Sequence, residues 1–526
     1  MSGVNLPAMA ECVTAPDDKK QTIAMEEVNA ALKECGFGLF HIRLLISAFV
    51  ALVNGVIISI ANPYVLPVAE CDLNMNLVEK GILNASPFVG MVASSIIAGF
   101  LTDAFGRKRF ILIGYEGLFV FMFISGLSQN YVILATAKFF EGLFFATAFS
   151  PTLTLTSEFC HHGIRDIVML LQASFMPLGQ VIVALKSWLI LSHDWKLSFF
   201  DGYFVLHTWN IYYLALSLWP LLVCILYAFI PESPKFHVTL SEYDKAREIL
   251  TKIYMENTRK PANTFKYVDL WCNRKSEEAI NEKPQGYSSI TEQICAGFQN
   301  IKPIFKKPLL WSLILICTLN FFTLKLYNII IMWFPQLSAI VENYSRIGSN
   351  DLCVMLDAYT RDSNSRAINT NNGTCVPVRS GTESYINNVI LGTVCFLALV
   401  ISGMVVNKVG KRNLFIAYGI VTTALTVALR WANSKASIVT LFSLDGAITQ
   451  AMASLTQAMV VEVFPTSIKS LAMSIVMTCG RVGSIFGNVL FPVLLNIGCS
   501  VPFFSMAAMC FGVTLLGFII PIKNKT

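Results

Sequence analysis

Charge is scarce in this 526-residue sequence: Asp, Glu, Lys and Arg make up 14%, against 55% hydrophobic residues, with a mean hydropathy of +0.60. That balance excludes an ordinary soluble domain. Histidine is scarce, six in all, and the adjacent His161 and His162 would stand about 100° apart on a helix, where a metal asks for a four-residue spacing. They read as interfacial residues. None of the fourteen cysteines forms a C-x-x-C pair or a zinc-ligand spacing, and most fall inside apolar runs as small buried residues. No G-x-x-x-x-G-K loop is present to cradle a nucleotide. No catalytic residues, metal site or cofactor follow, and the chain reads as a non-enzyme. Residues 1–38 mix acids and bases and lack a short apolar core before a small-residue cleavage site, so no cleavable signal is expected. The net charge of +6 is accounted for by basic loops beside anionic lipid and argues nothing for nucleic acid.

Long apolar runs, by contrast, recur, and about twelve approach the length needed to cross a hydrocarbon core. They fall near 39–64, 81–102, 109–128, 131–156, 167–191, 208–230, 309–335, 385–406, 413–433, 436–461, 468–495 and 500–521. The chain then divides into a tail (1–38), a six-helix bundle (39–230), a polar linker (231–307), a second six-helix bundle (308–521) and a short tail (522–526). In the linker, Pro231 and Pro234 end the sixth span. Beyond them Ser241 and Asp244 can cap a helix whose apolar face is Ala246, Ile249, Leu250 and Ile253, and Ile290, Ile294, Phe298 and Ile301 mark a second. Arg107, Lys108 and Arg109, and again Lys408, Lys411 and Arg412, lie in short hairpins, while the alternate short loops are nearly free of Lys and Arg. Both termini are therefore expected in the cytoplasm, in the plasma membrane or an intracellular vesicle. Residues 336–384 become an outer loop, with sequons at Asn343 and Asn372 for glycosylation and a candidate disulfide between Cys353 and Cys375.

One pattern is written twice. GFLTDAFGRKRFI (99–111) and GMVVNKVGKRNLF (403–415) pair Asp103 with Asn407, Gly106 with Gly410, Arg107 with Lys411 and Lys108 with Arg412, an offset of 304 residues at each position. The same offset pairs Glu141-Gly142 with Asp445-Gly446, Glu158 with Glu462, and Arg165 with Lys469, without a gap. Duplication of a half explains this better than chance.

These hairpins resemble the loop motif of the major facilitator superfamily of secondary transporters, the first near-complete and the second a degenerate copy. PESPKF (231–236) is similar to the sugar-porter and organic-ion branches. VLPVAECDLN, KFFEGLFFA, SPTLTLTSEF, HTWNIYYL and EVFPTSIKSLAMSIVMTCGRVGSIFGNVLFP look most like the synaptic vesicle glycoprotein 2 family, from about residue 35 onward. The resemblance implies an all-α membrane protein of twelve helices in two bundles around a cavity lined by helices one, four, seven and ten. Rocking of the halves would give alternating access, with Asp103, Gly106, Arg107, Lys108, Asn407, Gly410, Lys411 and Arg412 as the gate. The chain departs from those glycoproteins at Asn54 and Ile57, which replace an acidic pair in helix one, and at Lys138 and Asn210, which replace arginines. Its outer loop is also much shorter.

Ionisable side chains inside spans are costly and point to function or to a buried pair. Lys138 and Glu141, three apart, can neutralise each other on one helix. Lys325 and Asp445 lack such a partner, and both lie roughly 14–15 Å below the outer face at 1.5 Å per residue. They are expected to pair across the cavity wall, with Arg481 as the rival partner for Asp445. Asn320, Thr323, Tyr327 and Asn328 make a polar arc around Lys325. The candidate cavity set is thus Lys325, Asp445, Glu141, Asn54, Asn320, Tyr327, Asn328 and Arg481. The function expected is secondary-active transport of a small polar or charged organic solute, an organic anion first, with a proton or other coupling ion, by a monomer in the lipid bilayer. The alternative is a membrane scaffold or receptor that keeps the fold without transport.

Overall fold

The computed structural model describes residues 16–199, 201, 204–240, 242–271, 307, 309–345, 351–368, 381–464 and 469–520. Apart from a small hairpin of β1 (Lys196–Phe199) and β2 (Phe204–His207), its regular structure is helical. The first half is built from α2 (Leu39–Ala69), α3 (Leu77–Phe105), α4 (Arg107–Leu127), α5 (Tyr131–Glu158), α6 (His162–Leu191) and α7 (Thr208–Ala228). The second half is built from α10 (Leu309–Tyr344), α12 (Thr382–Val409), α13 (Lys411–Ala428), α14 (Lys435–Val463), α15 (Lys469–Ile497) and α16 (Ser500–Gly517). Eleven of these are long and apolar enough to cross a membrane, and α3, 29 residues long, runs beside them as the twelfth. The apolar runs place these helices to within a few residues, save that α10 continues nine residues past its expected end at 335.

Helices pack closely where side chains are missing. At the α3–α5 crossing, a Cβ added to Gly90 would strike the Phe139 carbonyl, and one on Gly142 would strike that of Pro87. In the second half, a Cβ on Gly483 of α15 would meet the Phe321 carbonyl of α10. Without a hydrophobic drive between helices in lipid, such close approach supplies the packing energy.

The polar ends are more ordered than a tail and a linker. Residues 16–35 form α1, which buries Ala24, Val28, Ala31, Leu32 and Cys35 against α8 (Pro234–Thr239) and α9 (Tyr243–Thr258). The expected face of α9, Ala246, Ile249, Leu250 and Ile253, is buried there. Its N-cap is Glu242, with Asp244 in the first turn; Ser241 and the second linker helix expected over 290–301 lie outside the described residues. Asn257 joins this layer to α2: its Oδ1 accepts from Phe40 N at 3.0 Å, and its Nδ2 donates to the Cys35 and Gly36 carbonyls at 3.1 and 3.0 Å.

The expected loop over 336–384 is largely helix. After α10 ends at Tyr344, α11 (Leu352–Ile368) folds back with Leu352, Met355, Leu356 and Tyr359 buried. This placement overturns the Cys353–Cys375 bridge. Cys353 is bonded to Cys499, 146 residues away between α15 and α16, because α11 crosses the end of the second half. The Asp357 carboxylate accepts from Cys499 N at 3.1 Å beside it. Cys71 is disulfide-bonded as well, while Cys375 and Asn372 lie outside the described residues. Asn343 falls in the last turn of α10, half-buried, its Nδ2 donating to the Ala339 carbonyl at 2.8 Å.

Candidate functional site

The repeated hairpins are one-residue turns. Gly106 alone joins α3 to α4 with φ +96°, and Gly410 alone joins α12 to α13 with φ +86°, backbone that side chains disfavour. The cation after each glycine reaches back within its own half. Arg107 meets Glu158 at 3.2 Å and lies over the Phe236 ring, and Lys411 meets Glu462 at 2.7 Å. Both members of these pairs obey the 304-residue offset, so the two halves keep one device in duplicate. Glu232 of PESPKF accepts from Lys108 N at 3.0 Å, which satisfies an orphan amide at the start of α4, and Lys108 Nζ donates to the Ala228 carbonyl. Burial, and next the Arg165 guanidinium, push the neighbouring Lys235 ammonium down, with Glu158 opposing. Arg412 donates to the Phe518 carbonyl. The side chains of Asp103 and Asn407 lie outside the described set.

Of the charges within the membrane, Lys138 and Glu141 pair as their spacing requires, at 2.9 Å and out of solvent. Ser125 Oγ also donates to Glu141 at 2.6 Å, and the Lys138 ammonium sits 3.7 Å from the centre of the Tyr213 ring. Glu141 is therefore part of the packing of the first half and does not line the cavity. Asn210 is structural too: its Nδ2 donates to the Gly126 and Ser128 carbonyls at 3.0 and 2.9 Å.

The expected Lys325–Asp445 pair does not form, nor does the rival Asp445–Arg481 pair. α10 turns Lys325 toward α15, where its stem packs against Gly487. α14 turns Asp445 the other way, into the second half, where Thr426 Oγ1 lies 3.0 Å from Oδ2. Equal depth left the rotation of each helix undetermined. Asn320 likewise faces α15, its Nδ2 donating to the Val476 carbonyl at 2.7 Å. Asn54 is fully buried beside the cavity, and neither atom of its amide has a partner.

A cavity of about 400 Å³ lies between the halves, lined from α2, α3, α5, α6, α10, α12, α14 and α15. Three of the expected residues reach it: Tyr327, Asn328 and Arg481. Gln180 Nε2 donates to the Tyr327 hydroxyl at 2.7 Å from the opposite half, and Asn328 Nδ2 donates to Ser484 Oγ at 2.7 Å. Four glutamines that the sequence reading passed over complete the polar wall: Gln172 and Gln180 on α6, Gln450 and Gln457 on α14. Their spacings, eight and seven, place each pair toward one side of its helix, and that was the available signal. Both amide atoms of Gln172 and the Oε1 atoms of Gln180 and Gln450 are buried without partners. Phe88, Phe145, Phe149, Met91, Met176 and Met477 supply an apolar wall.

Arg481 is the only charged side chain among the described lining residues, and no described hydrogen bond or ion pair reaches it. A guanidinium offers five donors in a planar fork suited to a carboxylate or similar anion. Beside it stand partnerless amide atoms and aromatic rings, so the wall combines one cation, uncharged polar groups and an apolar surface.

The sequence model of the Major Facilitator Superfamily matches residues 44–358 and 380–525. Among curated proteins, synaptic vesicle glycoprotein 2B of Homo sapiens is 24% identical over 307 residues, which cover 58% of this chain and 44% of that protein. Synaptic vesicle glycoprotein 2A of Bos taurus is 26% identical over 267 residues, covering 50% and 36%. The matched region is thus less than half the length of either relative. Among solved structures, the xylose transporter XylE from E. coli, in a partially occluded inward-open conformation, superposes with a TM-score of 0.61 at 15% identity, over 92% of this chain and 100% of its own. A D-xylose–proton symporter gives 0.62 at 14% identity, over 93% and 99%. At such identities the likeness is one of fold.

Proposed function

The chain belongs to the major facilitator superfamily, and from that premise we propose that it carries a small organic anion across a membrane by alternating access, with Arg481 as the anchor. The observation that carries this reading is the unpaired guanidinium in a cavity between the two halves, with no carboxylate among the described lining residues. Uncharged amides and the Tyr327 hydroxyl would bind the polar parts of the solute, and Phe88, Phe145 and Phe149 its apolar body. The organic-anion preference expected from the sequence rests here on Arg481.

In this reading the basic hairpins face the cytoplasm, together with α1, α8 and α9, by the excess of Lys and Arg on that side. α11 and the Cys353–Cys499 bridge then lie outside or in a vesicle lumen, where a disulfide persists. Alternating access would have the halves rock about the cavity, with the hairpin cations and Asp103 and Asn407 at the inner gate.

The test is uptake into proteoliposomes of labelled benzoate, naphthalene-2-sulfonate and tetraethylammonium. Saturable entry of at least one anion, excluding the cation and half-saturating at a concentration at least about tenfold higher in Arg481→Gln, is the expected result. Preferred entry of the cation would overturn the anion reading. Flat traces with all three, from folded protein, would favour a scaffold or receptor that keeps the fold without transport.

A further inference from the structure

The charge in the cavity bears on the transport cycle as well as on binding. With the cavity open to water, Arg481 can be hydrated at little cost. Rocking to the other face requires an occluded intermediate in which that water is largely excluded, and a buried charge is then tolerable only when paired and hydrogen-bonded. No described protein group can supply the pairing. Glu141 is committed to Lys138 and Ser125, and Asp445 faces Thr426 within the second half. Neither lines the cavity.

A bound monoanion supplies what the protein does not. It neutralises Arg481, and its remaining acceptors can accept a hydrogen bond from the partnerless Gln172 Nε2. The loaded, occluded form is then electrically neutral at the site, whereas the empty occluded form carries an unpaired guanidinium. The occupied carrier should cross readily and the empty one slowly.

We infer that the protein is an exchanger, moving one organic monoanion inward for each one moved outward, because Arg481 allows the halves to close over an occupied cavity and resists closure over an empty one. This rests on the anion reading above. It places the control of coupling in a single residue and needs no proton-carrying acid, in keeping with the lack of any carboxylate among the described lining residues.

The experiment compares entry of labelled benzoate and naphthalene-2-sulfonate into proteoliposomes in potassium chloride, filled either with the same unlabelled anion or with chloride alone. Preloading is expected to speed initial entry at least about tenfold, a modest share of what an unpaired buried charge costs. Because the loaded site is neutral, a potassium–valinomycin potential should leave the exchange rate unchanged. Arg481→Gln removes the penalty on empty return, so its ratio of preloaded to unloaded entry should fall toward one, while Arg481→Lys should keep a high ratio. If wild-type entry is equally fast with and without preloading, exchange is overturned while the anion reading stands. If neither anion enters or binds in either condition, the anion reading fails, and the inference with it.

Discussion

Lys80 Nζ lies 2.8 Å from the Glu70 carboxylate, with both side chains withdrawn from solvent. Glu70 follows α2 and Lys80 stands near the start of α3, so the pair closes the turn between them. Tyr359 of α11 joins it: its hydroxyl accepts from Lys80 Nζ at 2.9 Å and from Gln336 Nε2 of α10 at 3.2 Å. α11 is in turn bonded to the second half through Cys353–Cys499. One buried ionic network therefore ties the first half to the second at the end opposite the basic hairpins.

Breaking that network from one side should be severe. Lys80→Met leaves a buried carboxylate and Glu70→Met a buried ammonium, each at a cost of about 3–5 kcal/mol. The double variant should lose less than the two singles together, because the pair's desolvation disappears with both charges. Thermal unfolding in detergent reads this directly, and additive losses would show that the two residues are not coupled.

The disulfide prediction is a matter of connectivity. Non-reducing peptide mapping should recover Cys353 with Cys499, and Cys375→Ser should leave that bridge in place. Cys353→Ser should lower stability by about 2–4 kcal/mol. A recovered Cys353–Cys375 peptide would instead place α11 elsewhere.

The duplicated hairpin pairs should respond to charge reversal. Arg107→Glu sets two carboxylates together and should lower the unfolding temperature, while adding Glu158→Arg should restore much of it. The same swap at Lys411 and Glu462 should have a smaller effect, since that pair is more exposed. Equal failure of single and swapped variants would assign the loss to shape rather than charge.

Lys325 and Asp445 supply a control of opposite sign. They face different neighbours, so the losses from Lys325→Ala and Asp445→Ala should add within about 0.5 kcal/mol in the double variant. Asp445→Asn should be milder than Asp445→Ala, because its amide can still bond Thr426. Strong coupling between Lys325 and Asp445 would restore the ion pair expected from their depth.

Much of this architecture was legible in the sequence, where the signal is local. Twelve apolar runs fix twelve helices because a backbone in lipid must satisfy its own hydrogen bonds. The glycine-then-cation pattern fixes the two tight turns, since positive φ at Gly106 and Gly410 excludes most other residues. Lys138 and Glu141 meet because three residues on one helix bring two side chains to one face. The apolar face of α9 follows from the same periodicity.

What only the tertiary structure decided is the direction in which each helix faces. Depth can be counted along a chain, but rotation about the helix axis is set by the neighbours against which it packs. On α10 each residue turns about 100°, so Tyr327 and Asn328 enter the cavity while Lys325, three residues or fewer away, is carried to Gly487. The rotation of α14 likewise turns Asp445 behind the cavity wall, and Arg481 is the one charge among the described lining residues. Cys353 finds Cys499 rather than a cysteine of its own loop because α11 folds across the second half. Partners 146 residues apart leave no periodicity to read.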